Sequence, residues 1–453
     1  MIELKYVPSI DKNFQPNLVV LEDFEKRVEA EGGKKVSIYL ERTNGYNYIY
    51  EMNVFKNGHE EENYRIVERI VKGLLWMVGG FKIIISGDLD IYARLAKDYS
   101  IGGARDFDVN FMAKIYEHEF EVIYMDTLPE LKSESKEFVN SLKGCRIGFD
   151  AGGSDRKVSA VVDGEVLWSD ETVWLPKLNS DPKYHYEGIL DSMKRAASYM
   201  PRVDAIGVSS AGVYVDNKIM AASLFLKVND EDFNKHVKTM YIDIAKTFGD
   251  VPLVVANDGD VTALAGALEL HEGEILGIAM GTSEAAGYVD KNQSLLGWLN
   301  ELAFVNIDFN KDALVDEWSG DYGCGCKYFS QDAVIKLAEM AKLEIPSEYT
   351  LAEKLKYVQK LNEEGNKVAN EIFENIGIYL GYTLAYYARF YQIKHVLLLG
   401  RVVSGKGGNT ILDVASKVLK DVYPHLDITL SMPDEANRRV GQSIAAAMMP
   451  QVK

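Results

Sequence analysis

The sequence has little of what marks a secreted, disulfide-linked or membrane protein. Its 453 residues include only three cysteines, which are too few for a disulfide framework and suit a reducing compartment. The first residues lack the basic and apolar regions of a signal peptide, and no apolar run reaches membrane-spanning length. These absences predict a cytoplasmic protein with no membrane partner.

Basic residues are also in deficit. The chain has 50 Lys and Arg against 68 Asp and Glu, a formal net charge of -18. A general nucleic-acid binder needs clustered Lys and Arg, so we expect no nucleic-acid partner. The seven histidines show no metal-ligand spacing. A small anion remains compatible with this charge, because local backbone amides can hold it.

What the sequence does contain is typical of an α/β protein. With 47% apolar residues it can form two or three compact units. The segment Val36 to Val54, rich in β-branched and aromatic residues around Asn44-Gly45, predicts a hairpin, so the chain is expected to begin with strands. Further on, predicted strands alternate with helices, including one long helical stretch over 350–390, and small or acidic residues follow the strands.

Glycine turns follow three predicted strands. Such turns bring backbone N–H groups and hydroxyls close to a phosphate, and an acidic residue beside them can face a metal. One such turn alone is most simply an ordinary hairpin, but three with the same chemistry favour a nucleotide site. Their residues are Asp150, Gly152, Gly153 and Ser154; Gly281, Thr282 and Ser283; and Gly400 with Arg401.

Asn257 and Asp258 stand where a predicted strand stops and a helix starts. Both residue types are good helix caps, and one of the two would suffice for that purpose. Because the glycine turns lie on either side in sequence, we interpret Asp258 as a general base that accepts a proton from a substrate hydroxyl. Asn257 would orient that substrate.

Six segments resemble, in order and spacing, the motifs of the ROK family (repressors, open reading frames and kinases) of sugar kinases, within the actin and hexokinase superfamily of ATPases. The resemblance runs from about Cys145 to the end of the chain. The segments are DAGGS at 150–154, IGVSSAGVYV at 206–215, AND at 256–258, MGTSEAAGYV at 280–289, LLLGRVVS at 397–404 and EANRRVGQSIAAA at 435–447.

The resemblance implies an α/β protein of the two-lobed actin-like ATPase (ribonuclease H-like) fold. Residues 1–143 lie outside the resemblance and are predicted to form an extra N-terminal α/β extension, either an α+β domain or a degenerate actin-like half, ending in a charged linker at 127–143. The first lobe would be 144–255, completed by a C-terminal helix at about 434–453, and the second lobe 256–433. The extension is acidic and shows no basic recognition helix, and its segment 102–108 is interpreted as a solvated polar loop.

The implied activity is glucokinase-like phosphorylation of a sugar hydroxyl by ATP and Mg²⁺. Asp258 would be the base, and Asn257, Glu301 and Ser210 would join it in binding the sugar. The three turns named above would bind ATP, and Asp150 would meet Mg²⁺ through a phosphate or a water. The family also leads us to expect a homodimer.

Two departures from the family pattern favour an alternative, a non-catalytic sugar- or nucleotide-sensing protein. Glu301 matches the family ExGH motif, but Phe304 stands where its zinc-binding His would be. Cys324 and Cys326 lack a third cysteine, so zinc is not expected and the two are interpreted as buried thiols. In the second turn Ser283 and Glu284 replace a Gly and an apolar residue, and a carboxylate there would repel a phosphate unless it turned outward or bound Mg²⁺.

Overall fold

The computed structural model describes residues 3–133, 143–433 and 435–452, with the side chains of its last helix described from Gly441 onward. Most of the predicted linker, residues 134–142, lies outside this description. The chain forms two compact units. The first contains Met1–Glu134, Ile278–Ala286 and Trp298–Met432, and the second contains Ser135–Gly277, Gly287–Gly297 and Pro433–Lys453.

The helices and strands alternate along the chain. The N-terminal elements are α1 (Asn17–Glu31), β1 (Gly33–Glu41), β2 (Asn47–Phe55), α2 (Glu60–Met77), β3 (Lys82–Ser86), α3 (Leu89–Asp98), α4 (Asp106–Tyr116) and β4 (Glu121–Tyr124). The middle elements are β5 (Cys145–Ala151), β6 (Asp155–Val162), β7 (Glu165–Val173), α5 (Pro182–Ala197), β8 (Ala205–Ser210), β9 (Val213–Val215), β10 (Lys218–Ala221), α6 (Asp230–Asp232), α7 (Met240–Lys246), β11 (Leu253–Asn257) and α8 (Asp258–Leu270). The last are β12 (Ile275–Met280), β13 (Glu284–Val289), α9 (Gln331–Met340), α10 (Leu351–Glu363), α11 (Lys367–Tyr387), β14 (His395–Leu399), α12 (Gly405–Val422), β15 (Thr429–Ser431) and α13 (Glu435–Met448).

The N-terminal part of the first unit is a sheet of order β2-β1-β3-β4. The predicted hairpin is confirmed, with β1 and β2 antiparallel and Tyr39 opposite Ile49. The expectation that the chain begins with strands is wrong, because α1 precedes them. Leu18, Leu21 and Phe24 are buried at helical spacing on α1, and this apolar stripe forms the helix.

The predicted solvated loop at 102–108 is also wrong. Arg105 bonds to Glu68 on α2 at 2.7 Å, and Asp108 accepts a 2.6 Å hydrogen bond from Lys72. A buried charged side chain needs a partner of opposite charge, and α2 provides Glu68 for Arg105 and Lys72 for Asp108. We call the group consisting of Glu68, Arg69, Lys72, Arg105, Asp108 and Asp321 the ionic cluster.

The rest of the first unit is a second sheet, of order β13-β12-β14-β15, with α9 to α12. The helical stretch expected over 350–390 is two helices, because α10 ends at Glu363 and Asn366 caps α11. Gly377 and Gly381 do not interrupt α11. They let α12 approach, since a Cβ on either would lie 2.7 or 2.5 Å from a valine of that helix.

The second unit has a five-stranded sheet of order β11-β8-β5-β6-β7, in which β5, β8 and β11 are parallel. Helices α5 and α7 contribute to a core with this sheet, and α13 packs on β5 and β8. Glycines make the second contact possible, because a Cβ at Gly148 or Gly207 would lie 1.7 Å from a carbonyl oxygen of α13. The sequence pattern therefore builds a sheet with helices on its faces, typical of α/β proteins.

The compact units group the residues differently from the predicted ranges. Residues 1–134 share a unit with 298–432, where the sequence suggested a separate extension. The division into lobes with separate functions stays a prediction. Among the described residues, no helix is long and apolar enough to cross a bilayer.

Candidate active site

Three adjacent parallel strands of the second unit end at the same edge. Asp150 on β5 lies opposite Ser209 on β8, and Asn257 on β11 lies opposite Ser210. Because parallel strands bring their carboxyl ends together, the first glycine turn and the Asn257-Asp258 pair are neighbours. The structure thus collects candidate residues that lie about a hundred positions apart in sequence.

Asp150 is a buried carboxylate with two polar neighbours. Ser209 Oγ donates to its Oδ1 at 2.9 Å, and Lys157 Nζ lies 3.9 Å from its Oδ2. Burial raises the pKa of Asp150 to about 6; Ser209 and Lys157 oppose that rise, and the charge of Asp258 adds to it. Asp150 is therefore ionised near pH 7 and can face a cation.

The turn after Asp150 is open to solvent. Gly153 and Ser154 are exposed, and Ser154 Oγ donates to Asp155 at 3.0 Å. The carbonyl of Gly152 accepts the indole N–H of Trp174 at 2.8 Å, which holds the turn against the end of β7. An exposed, anchored glycine turn fits a phosphate group.

Asn257 caps α8, as the simpler interpretation required. Its Oδ1 accepts the N–H of Gly259 and its Nδ2 donates to the carbonyl of Gly212, both at 2.7 Å. Asp258 is therefore not needed as the cap. Its Oδ1 accepts from Gly259 at 3.0 Å, and Oδ2 has no protein partner among the described residues.

The environment of Asp258 suits a base. Burial raises the pKa of its carboxyl, and the hydrogen bonds of Gly259 and of its own backbone oppose the rise. A raised pKa makes a carboxylate a better proton acceptor. The half-buried side chain leaves an oxygen available for a substrate hydroxyl.

Ser210, an expected sugar contact, is completely buried. The hydroxyl of Tyr241 donates to its Oγ at 3.2 Å. The structure therefore places Ser210 beneath the strand ends, in the packing that supports them. Any role in holding the sugar stays a prediction.

The second and third glycine turns meet within the first unit. Arg401 Nη2 donates to Thr282 Oγ1 at 3.1 Å. Gly400 has a φ of +97°, and a Cβ there would lie 2.3 Å from the carbonyl oxygen of Met280. Gly281 donates to the carbonyl of Ser283 at 3.0 Å and so closes its own turn. One hydrogen bond and one close backbone approach therefore join the two turns.

Glu284 turns inward from the second glycine turn. It is 4% exposed, and both carboxyl oxygens lack a hydrogen-bond partner in the described part of the chain. Burial, with a smaller contribution from Glu301, raises its pKa to about 8. At neutral pH the group is mostly uncharged, so the repulsion of a phosphate considered from the sequence does not arise.

Glu284 should make stability depend on pH. The carboxyl loses its proton near 4.5 in the unfolded chain and near 8 in the folded chain, so between these values unfolding releases a proton and becomes easier as pH rises. We expect the free energy of unfolding of the wild type to fall, relative to Glu284→Gln, by about 3 to 4 kcal/mol between pH 5 and pH 8. Urea unfolding across this range measures the difference.

The matched control for this comparison is Glu339→Gln, on the exposed side of α9 in the same unit. For Glu339→Gln, the free energy of unfolding should change with pH as it does in the wild type. The groups that face Glu284 are Glu301, Tyr387 and Cys326, and they remain in every variant. Equal slopes for the wild type and Glu284→Gln would show that Glu284 is ionised in the folded protein.

Glu301 and Phe304 are held against α2. The N–H of Glu301 donates to the carbonyl of Trp76 at 3.0 Å, and the ring of Phe304 packs on Trp76 and Phe107 with centroids 4.3 and 5.7 Å apart. Phe304 is half-buried and packs against these aromatic rings, at the position where the family resemblance implies a metal ligand. Glu301 is fixed at its backbone by the same helix.

The residues around the two cysteines do not fit a zinc site. Cys324 is buried with its Sγ 3.8 Å from the carbonyl of Asp321, and Cys326 is half-buried with its Sγ 3.6 Å from Asp316. Burial raises the pKa of Cys324 to about 12 and raises that of Cys326, so both are thiols in the metal-free protein. Across residues 3–133, 143–433 and 435–452, no group of three or more His, Cys, Asp or Glu could hold a metal ion.

Comparison with known proteins shows a shared fold. No family model and no curated protein matches the sequence. Among solved structures, a ROK hexokinase from Thermus thermophilus has a TM-score of 0.53 at 16% identity, over 68% of this chain and 98% of that chain. A ROK family transcriptional regulator, a homologue of the E. coli MLC protein, has a TM-score of 0.52 at 18% identity, over 68% and 80%. A ROK family glucokinase from Streptomyces griseus, solved with glucose and AMPPNP, has a TM-score of 0.46 at 21% identity, over 67% and 98%.

The likenesses to the hexokinase and to the regulator confirm the predicted fold class. Over the 68% of the chain that they cover, it has the actin-like ATPase fold found in ROK sugar kinases, and the resemblance to that family in the sequence motifs is confirmed at the level of the fold. The same fold occurs in a kinase and in a transcriptional regulator, so the fold by itself does not decide between catalysis and sensing.

Proposed function

We propose that this protein phosphorylates a hydroxyl group of a sugar, with ATP as the phosphoryl donor and Asp258 as the general base. The observation that carries the proposal is the shared edge of β5, β8 and β11. It sets an ionised Asp150 with an exposed glycine turn beside a half-buried carboxylate whose pKa is raised. A phosphate-binding turn next to a proton acceptor is what phosphoryl transfer to an alcohol needs.

In this proposal the chain's own groups do the work of positioning and proton transfer. Asp258 Oδ2 accepts the proton of the attacking hydroxyl, while Asn257 keeps the start of α8 in place through its two hydrogen bonds. The amides of Gly152 and Gly153 bind the phosphoryl oxygens. A sugar contact by Glu301 stays a prediction from the family resemblance.

ATP and Mg²⁺ fit the residues present. Asp150 supplies an ionised carboxylate for Mg²⁺, through a phosphate or a water. Within the first unit, the turns at 281–283 and 400–401 offer hydroxyl, amide and guanidinium donors to a nucleotide. Bound Mg²⁺ would neutralise phosphate charge during the transfer. A cytoplasmic location and a homodimer stay predictions.

The test is release of ADP from MgATP by the full chain across a panel of hexoses, N-acetylhexosamines and polyols. The proposal expects release that depends on one class of sugar and the formation of its phosphate ester. Chromatography of the product identifies the ester and separates transfer to sugar from transfer to water. Absence of sugar-dependent release over the whole panel would contradict the proposal.

The second candidate is a non-catalytic sensor of sugar or nucleotide. The likeness in fold to a ROK transcriptional regulator favours it. Calorimetric titration with the same sugars and with MgATP distinguishes the two candidates. A sensor binds its ligand without releasing ADP, whereas a kinase turns over.

A further inference from the structure

A lysine outside all the motifs lies beside the first glycine turn. Lys177 is exposed on the 3₁₀-helix Pro176–Leu178 that follows β7. Its Cε and Nζ are 3.3 and 3.4 Å from the position that a Cβ would occupy at Gly153. The ammonium group thus stands directly against the open side of the turn.

The backbone that carries Lys177 is fastened to the same turn. The N–H of Trp174 donates to the carbonyl of Ser154 at 3.1 Å, and its indole N–H donates to the carbonyl of Gly152 at 2.8 Å. On the far side, a ring nitrogen of His185 lies 3.0 Å from the carbonyl of Pro176. The place of Lys177 beside the turn is therefore a consequence of a buried tryptophan bonded to that turn.

The ammonium group of Lys177 has no acidic partner among the described residues. The other lysine near the turn, Lys157, pairs with Asp155 at 2.9 Å and approaches Asp150 at 3.9 Å. Lys177 forms neither a hydrogen bond nor an ion pair with any residue that the structure describes. An uncompensated ammonium beside an exposed glycine turn is suited to an anion with several negative charges.

We propose that Lys177 binds the polyphosphate chain of the nucleotide at the turn 152–154. The backbone amides of the turn and the ammonium group of Lys177 would contact the phosphates from two different sides, with Lys177 on the side of β7. This inference rests on the proposed function, because it assigns a further nucleotide-binding residue to the same site. It adds a contact that none of the six sequence motifs contains.

Isothermal titration of the full chain with MgATP, MgADP and inorganic tripolyphosphate tests the assignment. Lys177→Gln should weaken binding of MgATP and tripolyphosphate about tenfold or more, because a charge-assisted contact is lost. Lys177→Arg keeps the charge and should bind within about threefold of the wild type. Sugar affinity should not change.

The matched control is Lys183→Gln. Lys183 is an exposed lysine six residues further on, paired with Glu187 at 3.5 Å, and its loss should leave nucleotide affinity unchanged. The melting temperature of each variant shows that it is folded. Equal affinity of Lys177→Gln and the wild type would overturn the role of Lys177 alone. A wild type that binds no nucleotide would overturn the proposed function as well.

Discussion

Asp258→Asn is expected to lower sugar-dependent turnover by a factor of about 10² to 10⁴, the usual contribution of a general base. The amide is nearly isosteric with the carboxyl but cannot accept the proton of the attacking hydroxyl. Asn257 provides the cap of α8, so the helix should start at the same place. The loss should fall on kcat, with the affinity for MgATP within about threefold of the wild type, and steady-state kinetics with titration calorimetry measure both.

The matched control is Asp260→Asn, two residues further along the first turn of α8. Asp260 accepts the N–H of Tyr288 at 3.1 Å, and an asparagine oxygen can accept the same bond. The control removes a negative charge from the same helix terminus and should change turnover only a few-fold. If both variants lost turnover to a similar extent, the loss would come from removing a negative charge at the start of α8, and Asp258 would not be the general base.

The pH dependence of turnover gives a second check. Burial raises the pKa of Asp258, so the base is protonated over a wider range at low pH than an exposed aspartate. The wild-type rate should therefore fall as pH drops through this raised pKa. Asp258→Asn should lose the part of that fall that Asp258 contributes, because its amide does not titrate, and should keep only the fall caused by protonation of Asp150, whose pKa is about 6. An unchanged acid limb in the variant would assign the limb to another group.

The parts of this site that could be predicted from sequence are those that depend on strand ends. Asp150 lies near the end of one short apolar strand and Asp258 follows another, and parallel strands bring such residues to one edge without further information. Local patterns also predicted the hairpin and the helical character of 350–390. The break between the two helices is marked in the sequence by Gly365-Asn366 within the polar run 362–367, a signal that the prediction of one helical stretch did not use.

The parts that could not be predicted depend on contacts between distant residues. The sequence shows Glu284 only as a carboxylate in a glycine turn, and its inward orientation results from packing against Gly325, where Oε2 lies 2.3 Å from a would-be Cβ. The ionic cluster joins Arg69 to Asp321 across 252 positions. Charge patterns within a short window carry no information on such a pair.

Asp321→Asn, a substitution in the ionic cluster, should lower the free energy of unfolding by about 3 to 5 kcal/mol. Asp321 accepts from Arg69 at 3.0 and 3.1 Å, lies 3.0 Å from Arg105 and 3.8 Å from Lys72, and is 3% exposed. An asparagine leaves these cations buried with too little negative charge. Unfolding in guanidinium measures the loss of stability, and a separate hydrogen-exchange experiment measures the local opening of α2.

Asp312→Asn, in an exposed part of the same loop, is the control and should change stability by less than about 0.5 kcal/mol. The stability difference between Asp321→Asn and Asp312→Asn shows what holds the segment around Cys324 in place. The family resemblance implies a zinc ion in that segment. This chain has the ionic cluster there, together with the aromatic contact of Phe304 and Trp76. A loss near 4 kcal/mol, with faster exchange in α2 and in the loop, would make the N-terminal segment the structural substitute for the metal. A loss below about 1 kcal/mol would instead assign that task to the aromatic contact, since exposed or well-hydrated ion pairs contribute no more than this.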